Sequence, residues 1–250
     1  MKNSTGYFRA DSSDENRIRL FCFPYAGGGA SVFRTWQNIL GDKVEVLPAH
    51  YKGHEDRITD KPVSSMKQLV DELYAELRNL ADRPFYLFGH SVGSRVSYEL
   101  SVRFEKDGNK FFKGLMVSAG LAPDQPEVNP IYDLPDKEFY KGLNKYNKTP
   151  EEIYKDKTLW NIFEPVLRAD FKLADTYCNR KETSISVPIL GLRGTADPEI
   201  SSEDILEWGR YTRKGFRSEN IEGEHLFIDT NPRQVLKEIK RFIYRTGEAI

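Results

Sequence analysis

Apolar positions along this chain alternate between two spacings. Short, nearly continuous or alternating apolar runs at residues 17–23, 44–47, 85–88, 114–118, 187–192 and 216–221 have the length and composition of strands. Between them the spacing widens to three and four residues, as on one face of a helix. Leu69, Leu73, Leu77 and Leu80 form such a stripe behind Ser65 and Gln68, which predict a capping box, while Asp71, Glu72 and Arg78 make the solvated face. Val92, Val96, Leu100 and Phe104 form a second stripe that stops at Gly108. Strands alternating with helices predict an α/β fold with a mostly parallel central sheet flanked by helices.

One interval breaks the alternation. Residues 123–180 are punctuated by proline and then helical, with helices expected at 136–146 and 158–177. Between them Thr149 and Glu152 predict a capping box around Pro150 at the first helical position. Residues 1–250 are therefore expected to form one domain, with 123–180 inserted between strands as a helical lid. Phe139, Tyr140, Tyr146, Tyr154, Trp160 and Phe163 of the insertion offer two readings: they line a substrate pocket, Phe139, Tyr140 and Trp160 foremost, or they pack the lid helices onto the core.

Candidate chemistry sits where the third strand meets its helix. Phe88-Gly89-His90-Ser91-Val92-Gly93 places Ser91 in a G-x-S-x-G turn. In that elbow the glycines permit close approach of strand and helix, and the serine hydroxyl projects above the sheet. A plain N-cap serine is the alternative, and the flanking strand and helix patterns favour the nucleophile. A serine needs a base, and the base an orienting acid. In α/β-hydrolases these follow in the order serine, acid, histidine. Of four histidines that order leaves His225, in Gly223-Glu224-His225-Leu226-Phe227, as the base. His90 reads as a supporting residue, and His50 and His54 as loop or surface residues. Asp197 follows the strand at 187–192 and is the candidate acid, though an aspartate before Pro198 is also common in turns. Its competitors Asp170 and Asp175 lie in a helical run. Pro24-Tyr25-Ala26-Gly27-Gly28-Gly29 follows the first strand, and the Ala26 and Val92 amides are candidate oxyanion donors. No phosphate-loop or dinucleotide-binding string accompanies those glycines.

Nearly the whole chain resembles the type II thioesterases of nonribosomal peptide and polyketide assembly lines. The resemblance rests on FPYAGG at 23–28, Phe33-Arg34 with Trp36, Gly53-His54-Glu55-Asp56 with Arg57, and the GHSVG elbow. It continues through Leu134-Pro135-Asp136, TPEEI at 149–153, LRAD at 167–170 with Tyr177, Asp197-Pro198 and GEHLFI at 223–228. The chain departs from the family around Tyr51-Lys52 and Asn147-Lys148, where a proline and a glycine pair are usual. The resemblance implies an α/β-hydrolase fold and hydrolysis of acyl thioesters from the phosphopantetheine arm of acyl or peptidyl carrier proteins, clearing misprimed or stalled groups. It puts Ser91, Asp197 and His225 on the triad and Ala26 and Val92 on the oxyanion hole, with no metal or bound cofactor. The same triad would serve a carboxylesterase or lipase acting on free esters, and a hydrolase fold can also be kept as a ligand receptor. All three triad groups would be superfluous in a receptor.

Composition removes other classes. A formal charge of −1 offers no electrostatic case for nucleic acid or an anionic membrane surface. Two cysteines, Cys22 and Cys178, suggest neither a disulfide framework nor a metal site. The polar N-terminal stretch lacks the apolar core of a signal peptide, and no apolar run is long enough to span a bilayer, so a cytoplasmic protein is expected.

Overall fold

Strands buried on both faces have no polar side to show, and their residues must alternate between two cores. In the computed structural model, which describes residues 6–10, 16–146 and 150–247, the sheet is built this way except at its last strand, where Arg217, Ser218 and Asn220 are exposed. Six strands pair in parallel among these residues, β1 (Ile18–Phe23), β2 (Val44–Pro48), β3 (Phe85–His90), β4 (Phe112–Ser118), β5 (Ile189–Gly194) and β6 (Phe216–Ile221), in the order β2-β1-β3-β4-β5-β6. Phe21, Phe85, Leu87, Leu115 and Val117 face one core, and Leu20, Cys22, Tyr86, Phe88 and Met116 the other. β5 begins two residues later than the apolar run suggests. Pro188 has no N–H to give the ladder, and its carbonyl alone joins it by accepting from Leu115 at 3.1 Å.

Helices cover both faces. α1 (Trp36–Leu40) and the C-terminal helix Pro232–Gly247 close one side, where Trp36, Val235, Leu236 and Ile239 are buried. α2 (Met66–Leu80) and α3 (Val92–Lys106) close the other. α2 starts as expected at Ser65, whose hydroxyl accepts the Gln68 N–H at 3.4 Å. The reciprocal half of the box is not made, because the Gln68 side chain turns along the helix to Glu72 at 2.8 Å.

Between β4 and β5 lie α4 (Asp136–Tyr146), α5 (Glu151–Lys155) and α6 (Lys157–Asp175). α5 has Pro150 as its N-cap, while Thr149, expected to cap it, lies outside the described residues, as does the Tyr146 side chain. α6 starts instead at Asp156, whose carboxylate accepts the Thr158 and Leu159 amides at 2.8 and 3.1 Å. Arg168 is an internal strut. It donates to the Tyr132 and Leu134 carbonyls and to Asp136, and its guanidinium lies 4.3 Å from the Phe139 ring centroid. Among the described residues no helix is long and apolar enough to cross a membrane.

The elbow depends on two positions that tolerate no side chain. A Cβ on Gly89 would overlap the Gly93 carbonyl, and one on Gly93 would overlap the Phe23 carbonyl on β1. Gly89→Ala or Gly93→Ala should cost roughly 3 kcal/mol or more by urea unfolding. Gly108→Ala, at φ 61° with open space around it, should cost only about 1–2 kcal/mol for its backbone conformation. Equal losses at the three positions would show that the elbow is not packed this tightly.

Candidate active site

Ser91 is the N-cap of α3, with φ 55° and ψ −122°. Such a conformation costs a non-glycine residue about 1–3 kcal/mol and persists only where its surroundings enforce it. Here they do. The Ser91 N–H donates to the Ser118 carbonyl at 2.7 Å, and the Ser94 hydroxyl donates to the Gly89 carbonyl at 2.9 Å. Among the described residues the other non-glycines at positive φ are Glu55 and Ala119, and Ala119 lines the same cleft as Ser91.

His225 is delivered by a loop stitched to the end of β5. Thr195 N–H donates to the Ile221 carbonyl and Ala196 N–H to the Gly223 carbonyl, at 2.8 and 2.9 Å. The His225 Nδ1 then lies 3.0 and 3.2 Å from the two oxygens of Asp197, which is buried. A carboxylate only accepts, so Nδ1 carries the proton and Nε2 is left as the basic nitrogen. Asp197 is held in turn by the Glu199 and Ile200 amides at 2.9 and 3.3 Å. Asp170 and Asp175 are engaged elsewhere: Asp170 meets His54, and Asp175 accepts the Ile131 and Tyr132 amides.

His90 is fully buried between these groups. Its Nε2 donates to the His225 carbonyl at 2.9 Å, so its Nδ1 accepts from the Ser118 hydroxyl, also at 2.9 Å. Burial, reinforced by the neighbouring His225, keeps its pKa well below the ordinary 6.5, and the ring is neutral.

One cleft of about 600 Å³, partly open to solvent, brings Ser91 and His225 together with Ala26 and Val92. A serine and a carboxylate-paired imidazole in one cleft suit acyl transfer, with Ala26 and Val92 beside them as the candidate oxyanion donors. Leu121, Phe171, Ala174 and Ile200 supply apolar wall, and Arg95, Glu127, Asp175 and Glu199 supply charge. Arg95 is buried one turn after Ser91. It donates to Glu127 at 3.1 Å and to the Ala174 and Gln125 carbonyls at 2.9 and 2.6 Å. Burial raises the Glu127 carboxyl above the usual range although Arg95 pulls it down.

Phe139, Tyr140 and Trp160 do not line this cleft. Phe139 and Trp160 are buried and pack on each other, on Tyr140 and on Phe171, so the packing role wins; Tyr140 also stacks on Tyr154 with centroids 4.2 Å apart. Apolar spacing cannot tell a pocket wall from a helix interface. His54 is likewise buried, not a surface loop residue. Arg95, Glu127 and Phe171 went unnoticed in the sequence; Arg95 had a signal, a charge in the first turns of a helix whose neighbours Ser94, Val96 and Ser97 are all small enough to be buried. A candidate cation cluster, His50, Glu55 and Asp56, has ligand atoms within 4.8 Å of one another. Arg9 binds Asp56 and the Ser31 amide binds Glu55, so these carboxylates already have partners.

The thioesterase-domain family profile matches residues 18–243, and the chain belongs to that family of hydrolases. Gramicidin S biosynthesis protein GrsT of Aneurinibacillus migulanus is 31% identical over 223 residues, covering 89% of this chain and 87% of GrsT. The type II thioesterase BorB from the borrelidin biosynthetic cluster superposes with a TM-score of 0.84 at 28% identity, covering 95% of this chain and 97% of BorB. YbtT, the type II thioesterase of the yersiniabactin pathway, gives a TM-score of 0.85 at 25% identity, covering 94% and 96%.

The neutral state of His90 has a measurable consequence. Its folded pKa lies below the 6.5 of the unfolded chain, so between the two the unfolded state binds more protons and stability rises with pH. Urea midpoints of the wild type should therefore climb more steeply up to about pH 6.5 than those of His90→Gln, whose amide can also donate to His225 and accept from Ser118. Parallel curves would mean that His90 does not titrate in this way.

Proposed function

We propose that this thioesterase hydrolyses acyl groups from the phosphopantetheine arm of carrier proteins in nonribosomal peptide or polyketide synthesis, in the cytoplasm, removing misprimed or stalled chains. The observation that carries the reading is the convergence of Ser91, the Asp197-paired His225, and the residues Ala26 and Val92 on one cleft. His225 Nε2 takes the Ser91 proton as its oxygen attacks the thioester carbonyl, the two amides hold the oxyanion, and the protonated thiol leaves. Water, deprotonated by the same imidazole, then releases the acyl group. The segment 123–180 acts as a lid, with α6 supplying Phe171, Ala174 and Asp175 to the cleft.

Ser91→Ala and His225→Ala should each lower kcat roughly a thousandfold or more, and Asp197→Asn roughly a hundredfold or more, with the fold intact by circular dichroism. The comparison that decides substrate class uses an acyl-loaded carrier protein, the matching acyl-pantetheine and a simple oxygen ester. Preference for the carrier-bound thioester is expected; preference for the ester would make the protein an esterase, and negligible turnover of all three a receptor.

The charged part of the cleft bears on the acyl group. An alkyl chain lying against the Arg95–Glu127 pair desolvates charge without returning a hydrogen bond. Acetyl-pantetheine should accordingly outperform octanoyl-pantetheine in kcat/KM. The paired change Arg95→Met with Glu127→Gln, which leaves no lone buried charge between these two partners, should move that ratio toward octanoyl by about tenfold. An unmoved ratio would remove the pair from substrate selection.

A further inference from the structure

The glycine-rich loop after β1 has no ladder or helix to orient its amides, so its direction must come from elsewhere. Side chains from three distant segments hold it. The Tyr25 hydroxyl donates to Asp229 on the short helix Phe227–Thr230 at 2.6 Å. Glu55 accepts the Ser31 N–H at 2.9 Å, and its carboxylate fills the space a side chain at Gly29 would need. Asp170 on α6 accepts the Gly27 N–H at 2.7 Å. That last tie acts on the peptide plane joining Ala26 to Gly27. The Ala26 N–H lies in the preceding peptide plane, and the Gly28 N–H, donating to the Tyr25 carbonyl at 2.9 Å, closes a turn over Tyr25–Gly28 that couples the two planes, so holding one restricts the other.

The Asp170 oxygen that holds Gly27 also meets His54. His54 Nε2 lies 2.9 Å from it, and His54 Nδ1 lies 3.2 Å from the Lys52 carbonyl. A carboxylate and a carbonyl can only accept, so a ring that satisfies both donates from both nitrogens and is the imidazolium. Both side chains are buried, His54 at 8% exposure and Asp170 at 5%. The Tyr51 ring stands edge-on at 6.0 Å, and Glu55, next in the chain, adds a further negative charge. Burial works against a charged His54, but Asp170 and the Lys52 carbonyl outweigh it and hold its pKa above the ordinary value. Neither residue lines the cleft that holds Ser91.

We propose that His54 and Asp170 are a positioning pair that fastens the oxyanion loop to α6 and thereby sets the Ala26 N–H for the developing oxyanion. This rests on the reading of Ser91 and Ala26 given above. His54 supplies the countercharge for a buried carboxylate whose working bond goes to the loop. The contribution belongs to the transition state, since the amide is needed most when the carbonyl oxygen gains charge.

The test uses Asp170→Asn and His54→Gln, close in shape to the originals, singly and together, with Ser91→Ala alongside. Three quantities are read: the folded fraction by urea unfolding, kcat and KM on acyl-pantetheine, and the rate at which a fluorophosphonate labels Ser91, a reaction that also places an oxygen against the oxyanion donors. In folded variants kcat and the labelling rate should fall together by about 10- to 100-fold, with KM within about twofold. The double variant should be no worse than the poorer single one, because both act through Gly27. Wild-type kcat in a folded variant, a loss confined to KM, or losses that multiply in the double variant would each overturn the pair's role. If Ser91→Ala keeps wild-type turnover, the site itself is misread; if Ser91→Ala is inert while both pair variants are fully active, only the positioning role falls.

Discussion

The contact on which the site depends is the one between α3 and the strands beneath it at Gly89 and Gly93. There backbone meets backbone, with no room for a Cβ on either residue. That approach lets β3 pass into α3 without an intervening loop, and it holds Ser91 at a positive φ that neither strand nor helix would impose alone. It also pulls the Ser118 carbonyl to within 2.7 Å of the Ser91 amide, so the end of β4 becomes part of the support of Ser91. A looser junction would return the serine to an ordinary N-cap geometry.

Around that junction, buried histidines take different charge states because their neighbours differ. His90 faces a hydroxyl and a carbonyl, which together satisfy one donor and one acceptor, and it stays neutral. His54 faces a carboxylate and a carbonyl, which can satisfy two donors, and it carries a proton on each nitrogen. His225 has Asp197 on one nitrogen and the cleft on the other. Burial alone would have made His90 and His54 both neutral; the count of acceptors around each ring decides otherwise.

The insertion between β4 and β5 is more than cover. Its aromatic residues are mostly spent on one another, with Phe139 buried between Trp160, Phe171 and the Arg168 guanidinium. Its polar residues reach outward to the sheet domain: Asp170 to the glycine-rich loop, and the Ala174 carbonyl to Arg95 on α3. The helix that shapes the cleft is thus the helix that touches the loop after β1, and the two cannot be displaced independently.

The strands, the long helices and the elbow were legible in the sequence because each is written in local spacing, apolar period and turn chemistry over a few neighbouring residues. Chain order singled out His225 as the candidate base, and the fold pairs it with Asp197. Distance in sequence hid the rest. Strand position and chain order favoured Asp197 over Asp170 as the partner of His225, 28 positions on, but nothing local announced that Asp170 would meet His54, 116 positions away. The aromatic stripe of the insertion fits a pocket wall and a helix interface equally well, until packing places Phe171 at the cleft and Phe139 behind it. Local periodicity says which side of an element is buried, whereas what it is buried against is set by long-range pairing, and that pairing exists only once the chain has folded.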